Sequence, residues 1–217
     1  MSYIAIEGPI GAGKTTLAEL LAERLGGKLV LEEFEENPFL PQFYQDQQRN
    51  AFQTQLFFLL SRFRQQLDLE QRDLFYENVV SDYLFIKDRI FASITLNDEE
   101  LALYEEVERS LVRRVPEPDV VIYLQASIPV LMANIQKRGR PYEVNLKEEY
   151  LAAVADAYND YFFHYRQSRL IVVDANRLDY LTQPEEIDRL LLAIYRDPAP
   201  PVEYLASPVP IFNPEGD

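Results

Sequence analysis

The feature that most constrains this chain of 217 residues is the segment GPIGAGKTT at residues 8–16. The apolar run YIAIE precedes it and is typical of a buried strand, whereas LAELLAERL after it has the spacing of an amphipathic helix. A strand, a glycine-rich loop with the pattern G-x-x-x-x-G-K-[ST] and a helix, in this order, are the context in which a phosphate-binding loop occurs. The sequence therefore predicts an α/β protein that binds a nucleotide.

Each residue type in this loop has a physical reason. Glycines leave backbone N–H groups free to close around phosphate oxygens, and the N-terminus of the next helix adds partial positive charge. Lys14 is placed to reach the outer phosphates, and the Thr15 hydroxyl is placed to ligate Mg²⁺. The residues predicted to bind the nucleotide are Gly8, Pro9, Ile10, Gly11, Ala12, Gly13, Lys14, Thr15 and Thr16.

The composition excludes several other classes of function. A net charge of −15 disfavours nucleic acid and anionic membranes as partners, because both are polyanions. The absence of cysteine excludes disulfides, thiolate metal sites and thiol catalysis. No apolar stretch is long enough to span a bilayer, and the first strand begins without a preceding signal peptide. We therefore expect a cytoplasmic enzyme.

Apolar runs that alternate with helical segments predict the fold. The five runs lie at residues 3–7, 28–34, 74–82, 119–124 and 170–174. Runs that are almost wholly apolar are typical of parallel strands covered on both faces. The prediction is a three-layer P-loop α/β fold with a five-stranded parallel sheet flanked by helices.

This fold is expected to occupy residues 1–195 as one domain. Residues 196–217 contain six of the 14 prolines and no helical pattern. They are expected to form a proline-rich C-terminal tail, which is either an extended arm on the body of the protein or disordered.

Acidic residues follow two of the predicted strands. Ligands of open α/β sheets bind at the carboxyl ends of the strands, which makes Glu32 or Glu33 a candidate general base beside the phosphate loop. A solvated acidic loop is the alternative, and for Glu33 it is the favoured one. Asp82 follows another apolar run, which is the position of a carboxylate that faces Mg²⁺ or substrate.

Basic residues are concentrated near residues 136–143, with the sequence QKRGRPYE. Phosphoryl transfer requires cations on the transferring group, so this segment is interpreted as a lid over the phosphates. The alternative is a basic helix C-terminus, which the helix dipole favours. Gly139 interrupts the helical pattern and supports the lid.

Five blocks of sequence together resemble the deoxynucleoside kinase family, most of all its bacterial deoxyadenosine and deoxyguanosine kinases. They are GPIGAGKTT, EEFEENPFLPQFY, FQTQLFFLLSRFRQQL, VVSDYLF and QKRGRPYE. The resemblance implies ATP-dependent phosphorylation of the 5′-hydroxyl of a small-molecule deoxynucleoside in nucleotide salvage, with a purine base favoured. It also implies ATP and Mg²⁺ as cofactors and a homodimer.

The same resemblance implies roles for the residues that carry out the reaction. Glu32 matches the catalytic base that binds the 5′-hydroxyl. Lys14 and the lid arginines Arg138 and Arg140 match the cations that stabilise charge on the phosphates. Thr15 matches the residue that holds the metal ion.

The remaining matches concern the nucleoside. Tyr44 and Glu143 match the residues that contact the sugar 3′-hydroxyl. Gln55 matches the glutamine that pairs with the base edge, and Arg62 and Asp82 match the pair that completes base recognition. These residues do not distinguish adenine, cytosine and guanine, so the preferred base stays open.

The chain departs from the family pattern at two places. Many members carry an acidic residue and an arginine shortly before the position matched by Asp82, whereas residues 76–78 of this chain are YEN and contain no arginine. Whether Glu77 or Asp82 contacts Mg²⁺ stays open. Asn134 stands where animal members have a further lid arginine.

Two other functions share part of the pattern. A thymidylate-type nucleoside monophosphate kinase would require cations at the acceptor site, where Arg49 and Arg64 are the candidates, and Glu32 would repel its acceptor. A P-loop switch that binds nucleotide without phosphorylating an acceptor would have no use for Glu32, Tyr44 and Gln55 together.

Overall fold

The structure is a computed structural model, and it describes residues 2–72, 76–144, 146–176 and 183–205. Its strands are β1 (Ser2–Glu7), β2 (Lys28–Val30), β3 (Asn78–Ser81), β4 (Val120–Gln125), β5 (Arg169–Asp174) and β6 (Val202–Leu205). Its α-helices are α1 (Lys14–Leu25), α2 (Leu40–Gln45), α3 (Gln47–Arg72), α4 (Lys87–Thr95), α5 (Asp98–Leu111), α6 (Ile128–Arg138), α7 (Glu148–Phe163) and α8 (Pro184–Ile194).

The strands form one parallel sheet in the order β2-β3-β1-β4-β5-β6. Successive residues of a strand point to opposite faces of the sheet, so both faces carry apolar side chains. Helices pack on each face. Ile4 and Ile6 of β1 pack in the cluster that contains Leu17 of α1, whereas Ala5 packs in the cluster that contains Tyr158 of α7. The predicted α/β class, with a parallel sheet between layers of helices, is confirmed.

The strand count is six rather than the predicted five. The additional strand β6 pairs in parallel with β5, from Leu170 opposite Val202 to Val173 opposite Leu205. It lies in the segment interpreted as a proline-rich tail, and four residues are too few to show a periodicity. Residues 206–217 of that tail lie outside the described residues, as do residues 74 and 75 of the third predicted strand.

An ion-pair network fixes β6 at the edge of the sheet. The Glu203 carboxylate, 8% exposed, accepts from Arg169 of β5 at 2.9 Å and lies 2.8 Å from Arg196. Arg169 also donates to the carbonyls of Ala193 and Ile194 at the end of α8. The side chains therefore attach the last strand to its neighbours.

The second strand is shorter than predicted and ends at Val30. The chain then leaves the sheet, and the Asp82 N–H donates to the Val30 carbonyl at 3.1 Å. Glu32 is consequently in the loop after the strand, at the carboxyl edge of the sheet. The phosphate loop follows β1 at the same edge, which brings the two segments together.

We predict that Glu203→Ala lowers the free energy of unfolding by about 1–2 kcal/mol, because two guanidinium groups lose a largely buried partner. Asp188→Ala is the control, since its ion pair with Arg24 is exposed on both sides and a change below about 0.5 kcal/mol is expected. Urea unfolding followed by circular dichroism measures both variants. Equal effects of the two substitutions would contradict the role of Glu203.

Candidate active site

A cleft of about 700 Å³ opens at the carboxyl edge of the sheet. The phosphate loop, the segment after β2, α2, α3, α4 and the end of α6 line it. Its charged side chains are the acids Glu32, Asp82, Asp88 and Glu143 and the bases Lys14, Arg62, Lys87, Lys137, Arg138 and Arg140. With six basic and four acidic side chains, the lining of the cleft is net positive and favours the binding of anions. The chain as a whole has a net charge of −15.

The conformation of the phosphate loop requires glycine. Gly11 has φ +85°, and a Cβ there would lie 2.6 Å from the Leu131 carbonyl oxygen of α6. Gly13 has φ +91° at the start of α1. Both values lie in the region that L side chains rarely adopt. The loop thus presents its backbone to the cleft at the N-terminus of α1, where anions are favoured.

Lys14 lies folded over this loop. Its Nζ donates to the carbonyls of Gly8 at 2.7 Å and Pro9 at 2.9 Å. Burial, together with the positive charge of Lys87, lowers the pKa of the Lys14 ammonium to about 8. An anion in the cleft would counter this effect by favouring the charged ammonium.

Asp82 connects the phosphate loop with Glu32. The Thr15 hydroxyl donates to Asp82 Oδ2 at 2.6 Å, and the Glu32 backbone N–H donates to Asp82 Oδ1 at 2.8 Å. A hydroxyl and a carboxylate therefore meet beside the loop. Glu77, the other candidate for contact with Mg²⁺, is exposed and does not line the cleft.

Two cations hold the carboxylate of Glu32. Arg62 donates to its Oε1 and Lys87 donates to its Oε2. Burial alone would raise the pKa of Glu32, but the two cations hold that pKa well below its usual range. Glu32 is therefore ionised, and both of its oxygens are engaged in the free protein.

Arg62 has a second acidic partner, which is Asp88 rather than Asp82. The Arg62 guanidinium pairs with Asp88 Oδ1 while it holds Glu32, and Arg62 and Asp88 are 3% and 1% exposed. Asp88 Oδ2 has no hydrogen-bond partner. The structure thus does not bring the predicted pair Arg62 and Asp82 into contact.

Sequence reasoning missed Lys87 and Asp88. Both lie in the first turn of α4, five and six residues after the Asp82 that the motif VVSDYLF singled out. The sequence did contain a signal for these residues: a lysine and an aspartate stand at the start of a helix, directly before its first apolar residues. Only the packing of α4 against α3 brings them to Arg62 and Glu32.

Polar and aromatic groups surround the inner end of the cleft. Gln55 is 2% exposed and lies two turns before Arg62 on the same face of α3, and its Nε2 donates to Thr95 at 3.3 Å. The Arg62 guanidinium lies 5.0 Å from the centre of the Phe58 ring. Phe91 also lines this end. A flat group with donors and acceptors on its edge would fit between these side chains.

The outer end of the cleft contains Tyr44 and the predicted lid. The Tyr44 ring stacks on Tyr142, with 5.7 Å between centroids. Arg138, in the last turn of α6, donates to both oxygens of Glu143 at 2.6 and 2.7 Å. Arg140 lies over the Phe34 ring at 3.8 Å. Helix α6 ends at Arg138 because Gly139 adopts φ +68°.

Asn134 contacts the phosphate loop directly. Its Nδ2 donates to the Gly11 carbonyl at 2.8 Å, so an amide ties α6 to the loop at the position where the family's animal members have an arginine. Helix α6, which leads into the predicted lid, therefore contacts the phosphate loop.

Most of the predicted site residues line this one cleft. The exceptions are Gly8 and Pro9, which do not line the cleft. Their carbonyls accept hydrogen bonds from the Lys14 ammonium. Arg49 and Arg64, the cations that a monophosphate acceptor would require, are exposed and do not line it.

The described residues contain no group of three or more histidine, cysteine, aspartate or glutamate side chains arranged to hold a metal ion. Within the same ranges, no helix has the length and the apolarity that crossing a membrane requires.

Comparison with known proteins gives consistent matches. The family model described as Deoxynucleoside kinase matches residues 4–197. Deoxyguanosine kinase of Bacillus subtilis (strain 168) is 35% identical over 193 residues, which cover 87% of this chain and 93% of that protein. Deoxyadenosine kinase of Lactobacillus acidophilus is 30% identical over 194 residues, with 84% of this chain and 89% of that protein covered.

A solved structure has a similar fold. The structure of deoxyadenosine kinase from M. mycoides with bound dATP superimposes with a TM-score of 0.78 at 30% sequence identity. The match covers 88% of this chain and 99% of that chain.

The charge on Glu32 leads to a prediction about pH. Because its pKa in the folded state is depressed, its ionised form stabilises the fold above the ordinary glutamate pKa of about 4.3, and this contribution is lost as the pH falls further. We expect Glu32→Gln to reduce the steepness with which unfolding free energy falls between about pH 5 and 3. Urea unfolding across this range measures it. Glu33→Gln, at an exposed neighbour, should leave the profile unchanged, and identical profiles for all three proteins would contradict the pairing of Glu32.

Proposed function

The chain belongs to the deoxynucleoside kinase family, and from this premise we propose that it transfers the γ-phosphoryl group of ATP to the 5′-hydroxyl of a deoxynucleoside. The product is the 5′-monophosphate. The observation that carries the proposal is the ionised Glu32, which lies in the same cleft as Lys14 of the phosphate loop. A base and a phosphate-binding cation in one enclosed space are the two requirements of phosphoryl transfer to an alcohol.

The phosphate loop forms the donor end of the site. Its N–H groups, the N-terminus of α1 and Lys14 bind the phosphates of ATP. The Thr15 hydroxyl and Asp82 would hold Mg²⁺, since this ion is bound by one or two oxygen side chains together with phosphate oxygens and waters. When bound, Mg²⁺ neutralises charge on the phosphates. The two side chains that would hold it already touch each other.

Glu32 and Arg62 form the reaction centre at the acceptor end. Glu32 orients the 5′-hydroxyl and accepts its proton as the oxygen attacks the γ-phosphorus. Arg62 keeps the carboxylate ionised and in place through its contact with Oε1. Arg138 and Arg140 are the lid cations that stabilise charge on the transferring group.

The nucleoside occupies the inner end of the cleft. Its base lies between Phe58 and Phe91, where Gln55, Arg62 and Asp88 offer donors and acceptors to the base edge. Asp88 is included because it is paired with Arg62 and its Oδ2 is free to accept a hydrogen bond. The relatives named as deoxyguanosine and deoxyadenosine kinases support a purine base.

The sugar is assigned to the space beside the lid. Tyr44 and Glu143 are proposed to bind its 3′-hydroxyl, as the family motifs imply. Burial and the nearby acid Glu143 raise the pKa of Tyr44 well above its ordinary value, which keeps its hydroxyl protonated as a donor. Glu143 is in turn held by Arg138.

A homodimer in the cytoplasm that acts in nucleotide salvage belongs to the same proposal and rests on the family. The two other functions considered from the sequence are less well supported. Arg49 and Arg64, the two cations that the sequence offered for a monophosphate acceptor, are exposed and lie outside the cleft, and a nucleotide switch has no use for the buried Gln55.

We predict ATP-dependent transfer to deoxyguanosine or deoxyadenosine in preference to deoxycytidine and thymidine. The measurement is phosphate transfer from labelled ATP to these four nucleosides and to thymidine monophosphate, with a reaction without acceptor as control. Transfer to the monophosphate alone, or ATP hydrolysis that no acceptor changes, would refute the proposed function.

Glu32→Gln should reduce kcat by about 10² or more, because it removes the proton acceptor and keeps the shape of the side chain. The KM for the nucleoside should change far less. Steady-state kinetics of this variant, beside Glu33→Gln as an exposed control, separate the two parameters. Turnover close to that of the unmodified protein would remove Glu32 from the role of base.

A further inference from the structure

Lys87 is a buried cation in the cleft for which the family motifs gave no role. It is the first residue of α4 and is 8% exposed. Its ammonium contacts Glu32 Oε2 and lies 6.0 Å from the centre of the Phe91 ring. The charge of a lysine is rarely buried without a reason, because removal from water is costly unless the charge is paired.

The two cations on Glu32 are held very differently. Arg62 is fixed from several sides, because its planar guanidinium also pairs with Asp88 and lies over Phe58. Lys87 has a compact charge on a flexible stem, and Glu32 is its one acidic partner among the described residues. Lys87 is therefore the less constrained of the two cations.

Lys87 lines the same cleft as Lys14 of the phosphate loop. Burial and, after it, the charge of Lys87 lower the pKa of Lys14. Glu7 is the last residue of β1. Its carboxyl does not fully compensate the positive charges of Lys14 and Lys87, because burial raises the pKa of Glu7 to about 7. A highly charged anion between Lys14 and Lys87 would remove their repulsion.

The two cations on Glu32 limit its strength as a base. Both of its oxygens are occupied, and two cations make the carboxylate less basic than an ordinary one. A base that accepts a proton from an alcohol needs an available oxygen. Each oxygen still has a second lone pair for the hydroxyl, and release of one cation would make the carboxylate more basic.

We propose that Lys87 is a catalytic residue that changes partners: it neutralises Glu32 in the free protein and moves to the γ-phosphate oxygens when ATP binds, which frees Glu32 Oε2 for the nucleoside. This inference rests on the proposed function. The arrival of the donor then activates the base, and Lys87 adds a cation to the transferring group.

The resulting step is balanced. The 5′-oxygen forms a bond to the γ-phosphorus while the bond from that phosphorus to the oxygen bridging to ADP breaks, and ADP leaves with the electron pair. The proton of the hydroxyl passes to Glu32. Lys87 and Lys14 stabilise the charge on the oxygens of the group in transit.

The test compares the affinities for ATP and ADP, which differ by the γ-phosphate. In Lys87→Gln and Lys87→Met we expect the preference for ATP over ADP to fall by about tenfold or more, because one charge-assisted contact to the γ-phosphate is lost. We expect kcat to fall by about 10². Binding of ADP and the KM for the nucleoside should change little, and Lys87→Arg should recover part of both losses.

Calorimetric titration and steady-state kinetics supply these values, with Lys147→Met at an exposed lysine as control. Lys87→Gln keeps a hydrogen-bond donor for Glu32. If Lys87→Met does not fold, the ratio of ATP to ADP affinity in Lys87→Gln therefore tests the proposal. A lysine with only a structural role would leave the ATP-to-ADP ratio intact, and an unchanged ratio would overturn the inference. If the unmodified protein transfers no phosphate to any nucleoside, the proposed function fails instead.

Discussion

The pairing of buried charges around Glu32 is the interaction on which the rest of the site depends. A carboxylate taken out of water must be compensated, and here Arg62 and Lys87 compensate it from two different helices. Arg62 in turn requires Asp88. These four charges fix the positions of α3 and α4 relative to the loop after β2, so the fold and the electrostatics of the cleft cannot vary independently.

This arrangement also explains how an acidic protein can bind a polyanion. The net charge of −15 is spread over the whole chain, whereas the basic side chains of the cleft are concentrated at the carboxyl edge of the sheet. Lys14, the N-terminus of α1 and the basic side chains Lys137 and Arg138 at the end of α6 line the cleft, and each of them favours negative charge. Local focusing of charge, rather than the overall sign, determines what the cleft can bind.

One short-range and one long-range contact position the residues around the end of α6. Arg138 of the lid holds Glu143, and Asn134 ties α6 to the phosphate loop. A segment proposed to bind phosphate is thus joined to a residue proposed to bind the sugar. Arg138, Glu143 and Asn134 all line the same cleft.

The sequence by itself determined the phosphate loop and the α/β class, because both depend on local patterns: a glycine loop between a strand and a helix, and apolar runs at regular spacing. It also placed Glu32, Gln55 and Arg62 in one site through their motifs. The tertiary structure decided the rest. The strand β6 depends on pairing with β5 and on the contacts of Glu203, and the partners of Glu32 depend on how α4 packs against α3. Charge pairing acts between side chains that folding brings together, and sequence spacing carries little information about it.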